Sequence, residues 1–439
     1  MEHLQPEAMP ASGGIAAPKI EGFTANRREK IAAFAMYALA YVYILFLQSV
    51  SWGPFWQLYF AGFTLGFFAL AEYLHRDVPR SRESWIWLGC AAVIFCAVLL
   101  NRGNAWSEGQ PTVFLHIFAV WWVLSRSDTL LEGESGHLLP LDALDGFVLF
   151  PFEQAFLRVR TVFFTLSHLR GNRKGERPNA ETVAWSMVMS AAALGLLALS
   201  VNLLTSADDG FAGLLEGLTD LFRLEWDYEI DEMLARLLFS LPVGAYLYGL
   251  LDGTLRKDKP ALRERAAAIA EQMEALRGVP ERVWLVLLTL FCALYALFFA
   301  VQGQYLFGAF TRTLPDGFVV AEYARQGFFE LCKVMGVNFA LLWLVTRSSK
   351  ADVRQQKAAR ALCLVLLAES FLLAVVAFSK LALYIDCFGF TPKRLQSTWL
   401  VCVLAFGCGC AAWSLVHGNK TFRVWMIFGA VTLSLLCLY

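Results

Sequence analysis

The sequence predicts an all-α fold: a polytopic transmembrane helix bundle of about 11 spans, with the N-terminus in and the C-terminus out. Its 439 residues are 58% hydrophobic and 17% charged, whereas soluble domains carry about a quarter charged residues. Eleven stretches approach the ~20 apolar residues that a helix needs to cross hydrocarbon. They run 31–49, 54–74, 85–101, 111–125, 181–204, 232–251, 283–303, 331–346, 361–384, 396–416 and 422–438, the fourth and eighth being the shortest. Lys and Arg are shared unevenly between the connecting segments. With the N-terminus inside, 28 of the 37 basic residues fall on inner segments and six on outer ones, the asymmetry of the positive-inside rule.

Each element follows in order. Residues 1–30 hold Pro6, Pro10, Pro18, Gly13 and Gly14 and little apolar material, so a disordered cytoplasmic tail is expected. No basic start leads into a short apolar run with a cleavage site, and the first apolar helix is expected to act as an uncleaved insertion signal. Residues 31–125 form a four-helix membrane segment with Trp52, Trp56, Trp85, Trp121 and Trp122 near headgroup level. Gly62 and Gly66 in its second span permit close helix approach. Residues 126–180 return to the cytoplasm. Within them 138–170, with Phe150, Pro151, Phe152, Phe156, Phe163 and Phe164 among Arg158 and Arg160, reads as an interfacial helix.

Residues 181–251 hold two spans around an acidic outer loop, 206–231, in which Arg223 is the single basic residue. That loop is a solvated face, or it binds a divalent cation or a basic partner; the calcium-loop spacing is absent. Residues 252–282 carry a cytoplasmic amphipathic helix. Leu262, Ala266, Ile269, Met273 and Leu276 share one face over 259–277. Asp258 is placed to cap it, Pro260 suits its first turn and Gly278 ends it. It lies on the membrane or on its own loops, or it docks a protein partner. Residues 283–439 form a five-helix membrane segment.

Composition excludes several chemistries. No block of like charge is long enough to track phosphates, so the expected partner is the lipid bilayer and not nucleic acid. Of the ten cysteines, nine lie in or beside apolar runs, where thiols behave as small hydrophobes; Cys387 is expected in a loop. No CxxC pair occurs, and Cys408-Gly-Cys410 has neither zinc spacing nor a nearby His, so neither metal nor cofactor is expected. Phosphate-loop, dinucleotide, zinc-hydrolase and serine-hydrolase motifs are missing. His116 lies inside an apolar span; the other five histidines fall in inner segments or at helix ends and read as structural or solvated.

A charge at bilayer depth costs about 2.5–3.5 kcal/mol, so intramembrane polar residues are the informative ones. Glu369 is the deepest, roughly 12 Å from the inner end of the ninth span. Asn338 has a similar depth in the eighth span and is placed to hydrogen-bond it. The pair forms a proton or cation site in a polar cavity, or a neutral carboxyl that ties helix to helix. Lys380 lies on the same face about three turns on, near the outer end, where it can snorkel to the interface.

The densest polar cluster is outer. Glu322, Tyr323, Arg325, Glu330 and Lys333 lead into the eighth span, and Lys380, Tyr384, Asp386, Thr391 and Arg394 join spans nine and ten. Glu322 with Arg325, and Glu330 with Lys333, have the i, i+3 spacing of helical ion pairs. The runs EYARQGFFEL and LYIDCFGFTPKRL resemble a bacterial family of uncharacterised multi-pass membrane proteins, domain of unknown function 4173, from about residue 31 onward. Phe390 and Pro392 depart from its pattern. The resemblance implies a bacterial plasma-membrane (cell membrane, multi-pass) setting and no activity.

Three functions remain open. A carrier would use Glu369 and Asn338, although no Gly or Pro breaks the ninth span. An envelope enzyme acting on a lipid-linked substrate would hold an anionic headgroup through Arg325 and Arg394, with Glu330 or Asp386 as base. A membrane sensor or assembly partner would use helix 259–277 and loop 206–231.

Overall fold

The computed structural model describes residues 24–49, 55–100, 110–155, 157–169, 228–311 and 328–438. The first helix, α1 (Arg27–Ser49), opens on a reciprocal cap. Asn26 Oδ1 accepts the Glu29 backbone N–H at 2.9 Å, and Glu29 Oε2 accepts that of Asn26 at 3.0 Å, so two of the free donors at the helix start are satisfied. Helix α2 (Trp56–Leu74) packs back along α1. A side chain at Gly66 would collide with Leu39 of α1, so this glycine face is used within the chain. Ser81 Oγ accepts the Ser84 N–H at 3.0 Å and starts α3 (Arg82–Leu100), which pairs with α4 (Gln110–Ser127).

The segment after α4 is not one surface helix. It breaks into α5 (Leu139–Leu144), a π-helical turn (Asp145–Leu149), α6 (Phe150–Glu153) and α7 (Leu157–Leu169). Phe150 is buried and Phe152 is exposed, because α6 turns inward against α8 (Tyr228–Arg256). Gly249 of α8 permits the contact: a Cβ there would lie 2.5 Å from the Pro151 carbonyl oxygen.

Helix α9 (Lys259–Ala275) follows. Asp258 precedes it, but its side chain makes no capping bond. The apolar face of α9 packs on the chain itself, with Leu262 buried and Ala266, Ile269 and Met273 against the same core. Leu276 is exposed.

The second half comprises α10 (Glu281–Thr311), α11 (Phe328–Ser348), α12 (Lys357–Phe388), α13 (Pro392–His417) and α14 (Phe422–Leu436). Helix α12 has 32 residues and is about 48 Å long, longer than the ~30 Å hydrocarbon layer. Cys387 therefore falls in its last turn and not in a loop. Gly389, with φ 79°, ends it. One apolar core unites α1 to α4 with α8 and α9, and another unites α10 to α13. Helix α14 packs on both α3 and α13, and Trp425 stacks on Phe339 of α11 at 5.1 Å.

Among the described residues the fold is helical, apart from one isolated bridge between Val279 and Ser349. Helices cover ten of the eleven apolar stretches; 181–204 and nearly all of loop 206–231 lie outside the described residues. By length and composition, seven helices can cross a membrane: those at Arg27–Ser49, Arg82–Leu100, Glu232–Arg256, Glu281–Val301, Phe328–Ser348, Lys357–Phe388 and Pro392–His417. The chain is a helical membrane bundle. Eleven is not reached on that measure: α2 and α4 fall short in apolar content, with Gln57 and Glu72 in one and Gln110, His116 and Arg126 in the other, α14 has only 15 residues, and 181–204 lies outside the described residues.

Candidate functional site

The intramembrane polar residues meet where α10, α11 and α12 pack. Tyr295 donates its hydroxyl to Asn338 Oδ1 at 2.7 Å, Asn338 Nδ2 donates to Ser370 Oγ at 2.7 Å, and Ser370 donates to the Leu366 carbonyl at 2.8 Å. Asn338 and Ser370 are buried, and the chain of bonds is closed, as a low-dielectric interior demands. Asn338 thus bonds Ser370 and not its neighbour Glu369. The Glu369 carboxyl sits beside the Cys292 thiol, and its Oε2 is buried without a hydrogen-bond partner.

The other predicted cluster lies partly outside the described residues. Glu322, Tyr323 and Arg325 lie outside the described residues. Glu330 and Lys333 are both exposed and form no ion pair with each other. Lys380 does not reach the aqueous edge: it is 1% exposed within the core of α10 to α13. Arg394 donates to the carbonyls of Phe388, at 2.8 Å, and Gly389. Its guanidinium lies 4.1 Å from the Tyr384 ring centroid. It therefore closes the C-terminal end of α12, a common use of a basic side chain at a helix end. Thr391 is the N-cap residue of α13 without a side-chain capping bond, and Asp386 is exposed.

Sequence reasoning counted the inner basic residues and missed what they do. At the opposite end of the bundle they form a layer of ion pairs, most with one buried partner. Arg126, 2% exposed, grips Glu72 through Nε at 3.0 Å and Nη2 at 3.2 Å, and donates to the carbonyls of His75 and Val78, both at 2.8 Å. Glu83, also 2% exposed, accepts from the Trp87 indole at 2.9 Å and from the Ser135 N–H and hydroxyl. Arg423 at the start of α14 reaches it at 3.2 Å. Arg256 binds Asp252 at 3.0 Å and also Glu29. Arg263 bonds Asp128 at 2.7 Å, and Arg265 bonds Asp145 at 2.9 Å, fastening α9 to the end of α4 and to the π-helical turn that follows it. The legible signal was that acids stand in the first or last turns of the same helices: Glu29, Glu72, Glu83 and Asp252.

Two groups in this layer are shifted by burial. His75 is held down to about 4 by loss of solvent. Its Nδ1 donates to the Ala71 carbonyl at 2.9 Å, and Thr254 lies 3.2 Å from Nε2. Asp142 is pushed up to about 7, first by burial and then by Asp145, Glu132 and Glu83. One of its oxygens accepts the Leu131 N–H at 2.8 Å, and the other has no partner.

The signs are opposite. Depression of His75 gives stability that is present above about 6.5 and lost as pH falls toward 4. Elevation of Asp142 gives stability that is present below about 3.8 and lost as pH rises through 7. Asp142→Asn keeps the acceptor for Leu131 and removes the second effect. Its denaturation midpoint should therefore climb more steeply than that of the parent between pH 4 and 7. Parallel pH profiles of the two proteins would show that Asp142 does not titrate in this range.

Fold and polar sites together define a multi-pass helical membrane protein whose polar groups are concentrated in a charged layer at one end and a small cluster at bilayer depth. A family model, Domain of unknown function (DUF4153), matches residues 88–439. The chain belongs to that family. The match is to 4153 and not to 4173, and it begins within α3, not at about residue 31. No curated protein and no solved structure matches the chain.

Proposed function

We propose that this protein is a carrier of the bacterial plasma membrane, in which Glu369 exchanges a proton or cation between the eighth and ninth spans. The observation behind this reading is the buried Glu369 Oε2 without a hydrogen-bond partner, beside polar side chains from three helices. A carboxyl at that depth is expensive to keep unless it works. We place eleven spans with the N-terminus inside; the gathering of Arg28, Arg126, Arg256 and Arg423 into one layer favours that topology. The enzyme reading is weakened because Arg394 is occupied at the end of α12. The sensor reading is weakened because the apolar face of α9 is covered by its own chain.

Infrared titration of the full chain in lipid nanodiscs tests the proposal. Among the protonated-carboxyl bands that appear and vanish with pH, one component should be lost in Glu369→Gln and kept in both Asp142→Asn and Arg394→Ala. A Glu369→Gln spectrum that titrates identically to the parent's would remove the basis for a carrier site here.

A further inference from the structure

At the end of the bundle away from the charged layer, α1, α4, α13 and α14 enclose a groove of about 1080 Å³. Its walls include Phe46, Phe114, Trp399 and Leu433. A largely apolar groove of this volume is the size of an organic-ligand site. Its mouth is polar. Gln396 donates to Gln110 Oε1 across it at 3.1 Å, and Lys393 is exposed at its rim with no ion pair among the described residues.

The wall also holds an unsatisfied acceptor. His116 Nδ1 donates to the Thr112 carbonyl at 2.6 Å, which leaves Nε2 of the neutral ring as a lone pair. That atom is buried without a partner. His116 lies six residues, about 9 Å, below Gln110 along α4, roughly the depth of the glycerol and ester level beneath a headgroup.

We propose that this groove binds an anionic phospholipid, with an acyl chain along Phe46, Phe114 and Leu433 and the phosphate at Lys393. His116 borders the groove through its ring, while its buried Nε2 stays out of contact with the groove space. The cation at the mouth selects the headgroup, and the walls select a chain over water. A zwitterionic lipid carries the same phosphate, but its headgroup cation competes with Lys393 for it, and a peptide helix would place backbone where a flexible tail fits. The inference stands independently of Glu369.

The test is photocrosslinking of the full chain in vesicles of equimolar phosphatidylglycerol and phosphatidylcholine, with a diazirine on the acyl chain of one lipid at a time. Labelling should concentrate on residues 43–47, 112–116, 396–400 and 433–436, and phosphatidylglycerol should be favoured about five-fold, the attraction of one basic residue for an anionic lipid. Lys393→Glu should erase the preference without changing the denaturation midpoint. Leu433→Trp, which narrows the groove where the acyl chain is placed, should lower the labelling of 433–436 and 43–47. Labelling no denser than at the exposed Leu290 and Leu297 of α10, or equal labelling by the two lipids, would overturn the proposal.

Discussion

Glu83→Ala is expected to destabilise the folded protein by about 2–5 kcal/mol, the cost of leaving two buried donors without their acceptor. The carboxylate accepts from Trp87, from the Ser135 N–H and hydroxyl and from Arg423. Its loss leaves the indole and amide donors buried without partners. It also loosens α14 from α3, because Arg423 keeps only Glu134. Thermal denaturation in detergent should show a marked fall in midpoint, and hydrogen exchange should show the start of α14 opening first. Glu83→Gln, which retains an acceptor oxygen, should recover part of the loss. A midpoint equal to the parent's would mean that the network contributes no stability.

Arg126→Met should cost about 3 kcal/mol, at the lower end for a broken buried pair, because Glu72 still has Arg80 at 3.0 Å. What is lost beyond the charge is geometry: one planar fork serves a carboxylate and two carbonyls that end α2 and begin its connection to α3. Lys carries its three donors on one nitrogen and cannot span the carboxylate and both carbonyls as the planar guanidinium does. Arg126→Lys should therefore remain closer to Arg126→Met than to the parent in the same denaturation experiment. Full recovery by Lys would show that charge alone matters.

Much of the helical layout was legible because a spanning helix must satisfy its backbone internally and cover itself with apolar side chains. Such a helix announces itself as a long uninterrupted run, and 361–384 within α12 is the clear case. Helices with polar ends were harder to classify as spans. Glu72 and Arg126 lower the apolar content of α2 and α4, yet they neutralise one another across the bundle.

The polar sites were less legible. Asn338 and Glu369 were matched by depth, but consecutive residues on a helix point about 100° apart. The rotation of α12 turned Ser370 toward α11 in place of Glu369. Arg394 has the residue type that binds phosphate, and the nearby ends of α12 used it first. Lys380 was expected to reach water, but packing around the upper part of α12 buries it.

The sequence by itself determined that lipid is the solvent, where most of the long apolar helices run and that basic residues crowd one set of connections, since these depend on local apolar content and on charge along the chain. Only the tertiary structure decided which acid meets which base, which polar atoms stay unsatisfied and where a groove remains between helices. Those outcomes depend on the rotation and approach of helices distant in sequence, and apolar periodicity alone leaves both of these open.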